Sequence, residues 1–218
     1  MPRFFITGTD TGVGKTWFTC WLVRAWRKQG WDGIALKPIA TGDREDALAL
    51  QAAMDSRLTL DEINPIHFRE PAAPRVAAEL ENRGIDFASL HQSIAMHSSR
   101  FSHLAVEGVG GWRVPLALDY DVRAWARDLA LPVVVVALNR LGVLNHAILS
   151  VESIQTSGLT CAGIVLNDGP GDPSPDFDLA RRNNAALLRD ILGVPVFEFG
   201  RDAQAAGQIP AWLGGKEV

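Results

Sequence analysis

The stretch Gly8-Thr9-Asp10-Thr11-Gly12-Val13-Gly14-Lys15-Thr16 lies directly after the apolar run Phe4-Phe5-Ile6 and directly before a segment with helical periodicity. A glycine-rich turn between a strand and a helix points successive backbone N–H groups inward, and the positive helix end adds to this anion site. Lys15 can then reach the β- and γ-phosphates of a nucleotide, while the Thr16 hydroxyl can ligate Mg²⁺. The sequence therefore predicts a phosphate-binding loop and a nucleoside triphosphate as its ligand.

The loop departs at one point from the standard pattern G-x-x-x-x-G-K-[ST], which has glycine where this chain has Thr9. Gly8 stands one residue too early for that pattern, whereas Gly14-Lys15-Thr16 matches it. The alternative interpretation is an ordinary glycine-rich turn with a surface lysine. Because a strand pattern precedes the loop and a helix pattern follows it, the phosphate-binding interpretation is favoured.

The composition is that of an ordinary globular protein, with 218 residues, 47% hydrophobic, 21% charged and a formal net charge of -4. We expect one domain over residues 1–218, and the negative charge gives no reason to expect nucleic-acid binding. No apolar run approaches the ~18 residues of a membrane span, and Met1-Pro2-Arg3-Phe4 leads into a strand, without a signal peptide. Cys20 and Cys161 are too few for a disulfide framework, so we expect a cytoplasmic protein.

Short apolar runs alternate with helical patterns along the chain, which indicates an α/β fold with a mostly parallel central sheet and helices on both faces. The predicted strands cover about residues 3–7, 33–38, 103–106, 132–138, 161–166 and 195–199. The predicted helices cover about residues 15–29, 46–50, 87–99, 144–156 and 177–192. We expect loops at 40–43 and 168–176, and residues 56–84 to be the least regular part of the chain.

Polar side chains fall at the predicted strand ends, which is where ligands bind to a parallel sheet. Lys37 ends a buried strand, so its ammonium is expected to point into the crevice and contact an anion. Glu107 ends another strand and precedes Gly108-Val109-Gly110-Gly111, where the backbone can approach a ligand closely. The Glu107 carboxylate is well placed to hold Mg²⁺, the alternative being a glutamate that faces solvent. Thr41 and Asn167 fall at the same edge.

Several of these positions have two interpretations. Asp46, at the start of a short helix, either ligates the metal or stabilises the helix through its dipole. Asn167 either contacts the edge of a base with its amide or caps a loop. Asn145, at the start of another helix, either helps to bind a carboxylate or serves as the N-cap.

Six ordered segments of the chain resemble the dethiobiotin synthetases, ATP-dependent enzymes of biotin synthesis with a P-loop NTPase-like fold. The similarity extends over about residues 4–168 and includes the departure at Thr9. The segments are Gly8 to Thr16, Lys37-Pro38-Ile39-Ala40-Thr41-Gly42, Asp46-Ala47-Leu48, Glu107-Gly108-Val109-Gly110-Gly111-Trp112, Leu141-Gly142-Val143-Leu144-Asn145-His146-Ala147 and Asn167-Asp168.

The resemblance implies a reaction and a set of site residues. ATP would drive the carboxylation and ring closure of 7,8-diaminononanoate with CO₂, through a carbamate and a carbamic–phosphoric anhydride, to dethiobiotin, ADP and phosphate. The implied catalytic residues are Lys37, Lys15 and Thr11, and the implied Mg²⁺ ligands are Thr16, Asp46 and Glu107. The implied substrate-binding residues are Thr11, Lys37, Thr41, Leu144 and Asn145. The implied nucleotide-binding residues are Gly12, Val13, Gly14, Lys15, Thr16, Trp17, Asp46, Glu107, Gly108, Val109, Gly110, Asn167 and Asp168.

The resemblance also implies a homodimer, in which the tail carboxylate of the substrate binds near Leu144 and Asn145 of the partner subunit. Two segments differ from the family pattern. The stretch Val196-Phe197-Glu198-Phe199-Gly200-Arg201-Asp202 stands where the family has Gly-x-Ile-Pro and completes its base pocket, so the preferred nucleotide is left open. The segment from Thr41 to Asp46 is short, which can change how Asp46 reaches the metal.

The alternative function is a partner-regulated switch ATPase of the ParA/MinD type. Those proteins have a second lysine early in the phosphate loop, where this chain has Asp10. They also carry a basic DNA-binding surface or an amphipathic membrane tail. The C-terminal stretch Ile209-Pro210-Ala211-Trp212-Leu213-Gly214-Gly215 is too short and too glycine-rich for such a tail.

Overall fold

The computed structural model describes residues 1–169, 175–200 and 209–214. The strands are β1 (Arg3–Gly8), β2 (Gly33–Leu36), β3 (Ile39–Thr41), β4 (Ile66–Phe68), β5 (His103–Glu107), β6 (Pro115–Ala117), β7 (Tyr120–Asp121), β8 (Val133–Leu138), β9 (Cys161–Asn167) and β10 (Val196–Phe199). The helices are α1 (Lys15–Lys28), α2 (Glu45–Ala53), α3 (Leu60–Ile63), α4 (Pro74–Leu80), α5 (Phe87–Arg100), α6 (Val122–Leu129), α7 (Val143–Thr156) and α8 (Pro175–Leu192). A short 3₁₀ helix covers Ala211–Leu213.

The central sheet has six strands in the order β10-β9-β8-β1-β5-β2, and every neighbouring pair is parallel. The predicted α/β fold with a parallel sheet is confirmed. Since β1 lies between β5 and β8, the loop that follows β1 opens at the centre of the edge where all the strands end. This is the part of an open α/β sheet where ligands bind.

The core consists of strands buried on both faces and of helices with one apolar stripe. Val133 to Val136 in β8 are fully buried, as expected for a strand covered on both faces. In α1, Phe18, Leu22 and Trp26 recur every four residues and are also fully buried. Each such side chain contributes roughly 1.5–3 kcal/mol to folding, so α1 is held firmly against the sheet behind the phosphate loop.

The chain leaves the central sheet earlier than the sequence predicts. The strand predicted over 33–38 ends at Leu36, because the Lys37 backbone N–H donates to the Ile63 carbonyl at 2.9 Å and Pro38 has no N–H to donate. The segment predicted as a loop at 40–43 begins instead as β3, which pairs in parallel with β4 in a separate two-stranded sheet. This second pairing directs Thr41 toward the crevice side of the molecule.

Residues 56–84, expected to be the least regular part of the chain, contain the three short elements α3, β4 and α4. Local signals for both helices are present in the sequence. The Thr59 hydroxyl accepts the Glu62 N–H at 3.2 Å and the Glu62 carboxylate accepts the Thr59 N–H at 2.8 Å, a complete capping box. Pro74 occupies the first position of α4, where its missing N–H costs nothing.

Other boundaries differ from the predictions by a few residues. The helix predicted from 177 begins at Pro175, and residues 170–174 of the predicted loop lie outside the described part of the chain. The sequence analysis also missed β6, β7 and α6, although Asp121 caps α6 by accepting the Ala124 N–H at 2.8 Å. Cys20 and Cys161 are free and buried. Within the described residues, no helix has the length and apolar character that crossing a bilayer requires.

His97 is a buried histidine in α5 and is not one of the predicted site residues. Its side chain is fully buried, and neither ring nitrogen has a hydrogen-bond partner within the described residues. Burial lowers the pKa of His97 and the nearby Arg100 lowers it further, which outweighs the opposite effect of Glu62. His97 is therefore neutral in the folded protein at neutral pH.

We predict that His97→Leu reduces the acid sensitivity of the fold. In the unfolded chain His97 gains a proton near pH 6.5, whereas the folded protein resists that proton, so stability falls as the pH drops below about 6.5, by up to about 1.4 kcal/mol per pH unit. Urea unfolding at pH 7 and pH 5 should show a smaller difference for His97→Leu than for the wild type. Part of the loss of stability at pH 5 should remain in this variant, because burial also lowers the pKa of His103.

The matched control is His146→Leu, which replaces an exposed histidine. It should show the same difference between pH 7 and pH 5 as the wild type. A His97→Leu protein that loses as much stability at pH 5 as the wild type would contradict the prediction.

Candidate functional site

The loop between β1 and α1 has the backbone conformation that the glycines predict. Gly12 and Gly14 adopt left-handed conformations, with φ of 74° and 92°, which side chains disfavour. Gly14 occupies the N-cap position of α1, so the helix begins directly at Lys15. Lys15 is buried, and its Nζ donates to the Asp10 carbonyl at 3.1 Å. The loop therefore curls around an ammonium group at the positive end of a helix, which is an anion-binding arrangement.

A buried cluster of charges lies next to the loop. Lys37 is 3% exposed and donates from Nζ to Glu107 Oε1 at 2.6 Å and to Asp46 Oδ2 at 2.7 Å. Glu107 is fully buried, and its Oε1 also accepts the Thr16 hydroxyl at 2.7 Å. The end of β5, the start of α2, the first turn of α1 and the residue after β2 thus meet around the ion pair of Lys37 and Glu107.

The charges in this cluster stabilise one another. Burial opposes the charged form of Lys37, but Glu107 and Asp46 outweigh it and raise the pKa of Lys37 above its usual value. Burial also opposes the charged form of Asp46, and Lys37 again outweighs it, so the pKa of Asp46 is lowered. Burial, followed by repulsion from Lys37, lowers the pKa of Lys15 to about 8. At neutral pH the site therefore contains two protonated lysines, Lys15 and Lys37, together with an ionised Asp46.

A cavity of about 690 Å³ opens above the cluster. One wall is polar and consists of the phosphate loop with Lys37, Thr41, Asp43 and Asp46. The apolar part of the lining consists of Pro71, Ala72, Ala73, Pro74, Val109 and Val114. The cavity can therefore hold a ligand that is anionic at one end and has a hydrocarbon part beside it.

The cavity brings together most of the predicted site residues. Those that line it are Thr11, Gly12, Gly14, Lys15, Thr16, Trp17, Lys37, Thr41, Asp46, Val109 and Gly110. Glu107 contacts this set from below through Lys37 and Thr16. Val13 is buried in the loop, and Gly108 packs so closely on Phe5 that a Cβ would come within 3.1 Å of its ring. The individual roles of these residues remain predictions.

Leu144 and Asn145 lie in the first turn of α7 and do not line this cavity. The interpretation of Asn145 as an N-cap is wrong, since Gly142, with φ of 90°, occupies that position. Asn145 is exposed, and Leu144 is half-buried. Their position is compatible with a contact to another subunit, as the family resemblance implies.

Asn167 and Asp168 lie at the end of β9. Asn167 Nδ2 donates to the Val13 carbonyl at 3.0 Å, and its Oδ1 accepts the Gly169 N–H at 3.1 Å. The loop-capping interpretation of Asn167 is therefore confirmed. Asp168 Oδ1 accepts a hydrogen bond from Asn139 Nδ2 at 3.0 Å. Asn139 directly follows β8, so it lies at the same edge of the sheet as Asn167 and Asp168.

The sequence analysis missed several residues at the site. Pro71 to Pro74 lie in the segment expected to be the least regular, and the proline that begins α4 was the available signal. Asn139 directly follows a predicted strand, so the strand-end argument that found Asn167 applies to it as well. Of the segment that departs from the family pattern, Val196 to Gly200 is described, whereas Arg201 and Asp202 lie outside the described residues.

Comparison with known proteins identifies close sequence relatives. A family model described as an AAA domain matches residues 2–199. An ATP-dependent dethiobiotin synthetase of Akkermansia muciniphila is 39% identical over 196 residues, which are 90% of this chain and 90% of the relative. One from Aromatoleum aromaticum is 41% identical over 222 residues, covering 95% of this chain and 97% of the relative.

Solved structures of lower sequence identity share the fold. The cell division protein FtsY of Thermotoga maritima has a TM-score of 0.57 at 16% identity, with 93% of this chain and 63% of that chain covered. The cell division protein MinD of Aquifex aeolicus has a TM-score of 0.57 at 14% identity, with 95% of this chain and 85% of that chain covered. These similarities confirm the P-loop NTPase-like fold and, at such identities, carry no statement about activity.

We predict that Lys15→Ala weakens binding of a nucleoside triphosphate by about 10- to 100-fold, because it removes a charge-assisted contact to phosphate. Isothermal titration calorimetry with Mg-ATP measures the affinity. The matched control is Lys28→Ala, which removes an exposed lysine from the last turn of the same helix and should leave the affinity unchanged. Equal ATP affinity in Lys15→Ala and the wild type would contradict the role of the loop.

Proposed function

Because this chain belongs to the family of ATP-dependent dethiobiotin synthetases, we propose that its cavity binds ATP beside 7,8-diaminononanoate and closes the ring of dethiobiotin with CO₂. The observation that carries the proposal is the mixed lining of the cavity, which combines a phosphate loop and a buried ammonium group with the apolar residues Pro71 to Pro74. The relatives from Akkermansia muciniphila and Aromatoleum aromaticum match this chain over 90% and 97% of their length.

The reaction consists of three bond-forming steps. One amine of the diamine adds to CO₂ and loses a proton, which gives a carbamate. A carbamate oxygen then attacks the γ-phosphorus of ATP, and ADP leaves. Finally the neighbouring amine attacks the carbamate carbon, phosphate leaves, and the cyclic urea closes. Such chemistry needs positioning and charge neutralisation more than a protein nucleophile.

The residues around the cavity match these needs. Lys15 and the backbone N–H groups of the loop would hold the phosphates of ATP. The Lys37 ammonium, whose residue lines the same cavity as the phosphate loop, would meet the carbamate and the transferred phosphoryl group. The hydroxyls of Thr11 and Thr41 would bind the diamine or its carbamate. The wall from Pro71 to Pro74 would pack against the carbon chain, whose burial favours binding.

The donors in the charge cluster fit Mg²⁺. Glu107 Oε2 is buried and has no hydrogen-bond partner within the described residues, and the Thr16 hydroxyl and the Asp46 carboxylate lie beside it. Oxygen donors of this kind suit Mg²⁺, which commonly completes its ligands with water and phosphate. No group of three or more His, Cys, Asp or Glu residues close enough to hold a metal occurs in the described part of the chain. Mg²⁺ held by Thr16, Asp46 and Glu107 would neutralise charge on the phosphates.

We also propose the homodimer and the cytoplasmic location that the family resemblance implies. The large apolar side chains of Leu141 and Leu149 are 77% and 58% exposed on either side of the start of α7. A partner subunit that covers this surface would bring Leu144 and Asn145 to the tail carboxylate of the substrate. Both cysteines of the chain are free thiols, in keeping with a reducing compartment.

The proposal is tested by measuring ADP release from Mg-ATP with 7,8-diaminononanoate and bicarbonate each present or omitted, together with mass detection of the organic product. We expect ADP release to require both additions and dethiobiotin to appear in equal amount. ATP hydrolysis that is indifferent to both would contradict the synthetase function and favour the switch ATPase. The likeness to MinD alone does not favour it, since Asp10 stands where the switch ATPases have lysine.

We predict that Lys37→Met, a change that keeps the length of the side chain, lowers turnover by at least about 100-fold while ATP affinity changes only a few-fold. The variant removes the ammonium that meets the reacting groups but leaves the phosphate loop intact. It also leaves Glu107 and Asp46 without their positive partner, so Mn²⁺ should bind more tightly in the absence of nucleotide. Turnover is measured by ADP release, and Mn²⁺ binding by electron paramagnetic resonance.

The control for both measurements is Lys28→Met, at the exposed end of α1. It should match the wild type in turnover and in Mn²⁺ affinity. Wild-type turnover in Lys37→Met would rule out the proposed role of the ammonium.

A further inference from the structure

We infer that Asn167 is a positioning residue that holds the phosphate loop in its binding conformation, so that it controls the affinity for the triphosphate group itself, with or without a base. The inference rests on the proposed nucleotide-binding role of the loop and does not depend on ring closure. It assigns to Asn167 an action on the phosphate end of the ligand, in addition to any contact with the base that the family resemblance implies.

The Asn167 side chain joins two distant parts of the chain. Asn167 is the last residue of β9, and two strand pairings, β9 with β8 and β8 with β1, separate it from the strand that leads into the loop. Its amide nevertheless reaches Val13, 154 positions away in sequence, and is 4% exposed. A buried hydrogen bond between such separate elements constrains the loop relative to the sheet.

The orientation of the amide is determined at both ends. Nδ2 donates to the Val13 carbonyl at 3.0 Å, while Oδ1 accepts the Gly169 N–H at 3.1 Å. A flipped amide would place oxygen against the carbonyl and NH₂ against the N–H, which are two repulsive contacts. The backbone carbonyl of Asn167 accepts the Asn139 N–H at 2.7 Å, so the residue that carries the amide is itself held in place.

The contact with Val13 determines where the following peptide group points. In a trans peptide the carbonyl and the next N–H point in opposite directions, and the described residues contain no cis peptide. A Val13 carbonyl held toward Asn167 therefore turns the Gly14 N–H to the opposite side. Gly14 lines the cavity, so this N–H belongs to the part of the loop that would meet phosphate oxygens.

Gly14 packs directly against the Asn167 amide. A Cβ added to Gly14 would collide with Asn167 Nδ2, and the φ of 92° at this position already disfavours a side chain. The amide thus fills the space that the glycine leaves, at the residue where α1 is about to begin. Hydrogen bonding to Val13 and close packing on Gly14 act on the same peptide group.

A ligand without a base distinguishes the two roles of Asn167. If Asn167 only contacts the base, its replacement leaves the affinity for such a ligand unchanged; if it positions the loop, its replacement weakens that affinity. The experiment compares inorganic tripolyphosphate with ATP by isothermal titration calorimetry in the wild type and in Asn167→Leu. This change is neutral and nearly isosteric, so it removes the hydrogen bonds without adding a charge near the phosphates. We expect tripolyphosphate to bind about 5- to 10-fold more weakly to Asn167→Leu, the usual effect of losing one hydrogen bond, and ATP to lose at least as much.

The matched control is Asn184→Leu. Asn184 is also 4% exposed and donates from Nδ2 to another asparagine, Asn139 Oδ1, at 2.8 Å, but it does not contact the loop. It should bind tripolyphosphate as the wild type does. Circular dichroism and thermal unfolding confirm the fold of each variant. If Asn167→Leu does not fold, the pair Asn167→Ala and Asn184→Ala replaces the leucine pair.

Three results would overturn the inference alone, while leaving the nucleotide site standing. They are unchanged tripolyphosphate affinity with weakened ATP binding, unchanged affinity for both ligands, and equal weakening in the Asn167 and Asn184 variants. A wild-type protein that binds neither tripolyphosphate nor ATP would overturn the nucleotide-binding part of the proposed function together with the inference.

Discussion

The ion pair between Lys37 and Glu107 is the contact on which the site depends, because both side chains are almost completely removed from water. A buried charge without a partner is strongly unfavourable, and a pair survives burial only when its geometry and remaining hydrogen bonds are good. Asp46 and Thr16 supply those further contacts to the two partners. The need to satisfy this one pair therefore determines the relative positions of β5, α2 and the first turn of α1, and with them the polar wall of the cavity.

The parallel sheet explains why such distant residues can form that cluster. All six strands run in the same direction, so the residues that follow them emerge at a single edge. The chain leaves the main sheet after Leu36, which lets β3 pair with β4 in a separate sheet. The segment between β4 and α4 then lines the cavity at the same edge. The lining of the cavity thus comes partly from the main sheet and its loops and partly from a short excursion from that sheet.

This division of the cavity suits a ligase that uses ATP to activate a carbamate. The phosphate loop and the charge cluster supply the positive groups that phosphoryl transfer requires. In the proposed function, the apolar residues Pro71 to Pro74 would supply a surface for a hydrocarbon chain. The sheet and loop of a P-loop NTPase provide the positive groups, and the apolar surface of Pro71 to Pro74 comes from the segment between β3 and α5.

The sequence by itself determined the class of fold and the phosphate loop, because both follow from local patterns. Runs such as Val133 to Val136 encode strands buried on both faces, and the glycines of the loop allow backbone conformations that other residues disfavour. It also placed Lys37 and Glu107 at strand ends, and hence at one edge. Only the tertiary structure decided that Lys37 lies between Asp46 and Glu107, that Pro71 to Pro74 line the same cavity, and that the Asn167 amide contacts Val13. Those contacts join residues up to 154 positions apart, and the order of the strands in the sheet, which no local pattern specifies, determines which of them meet.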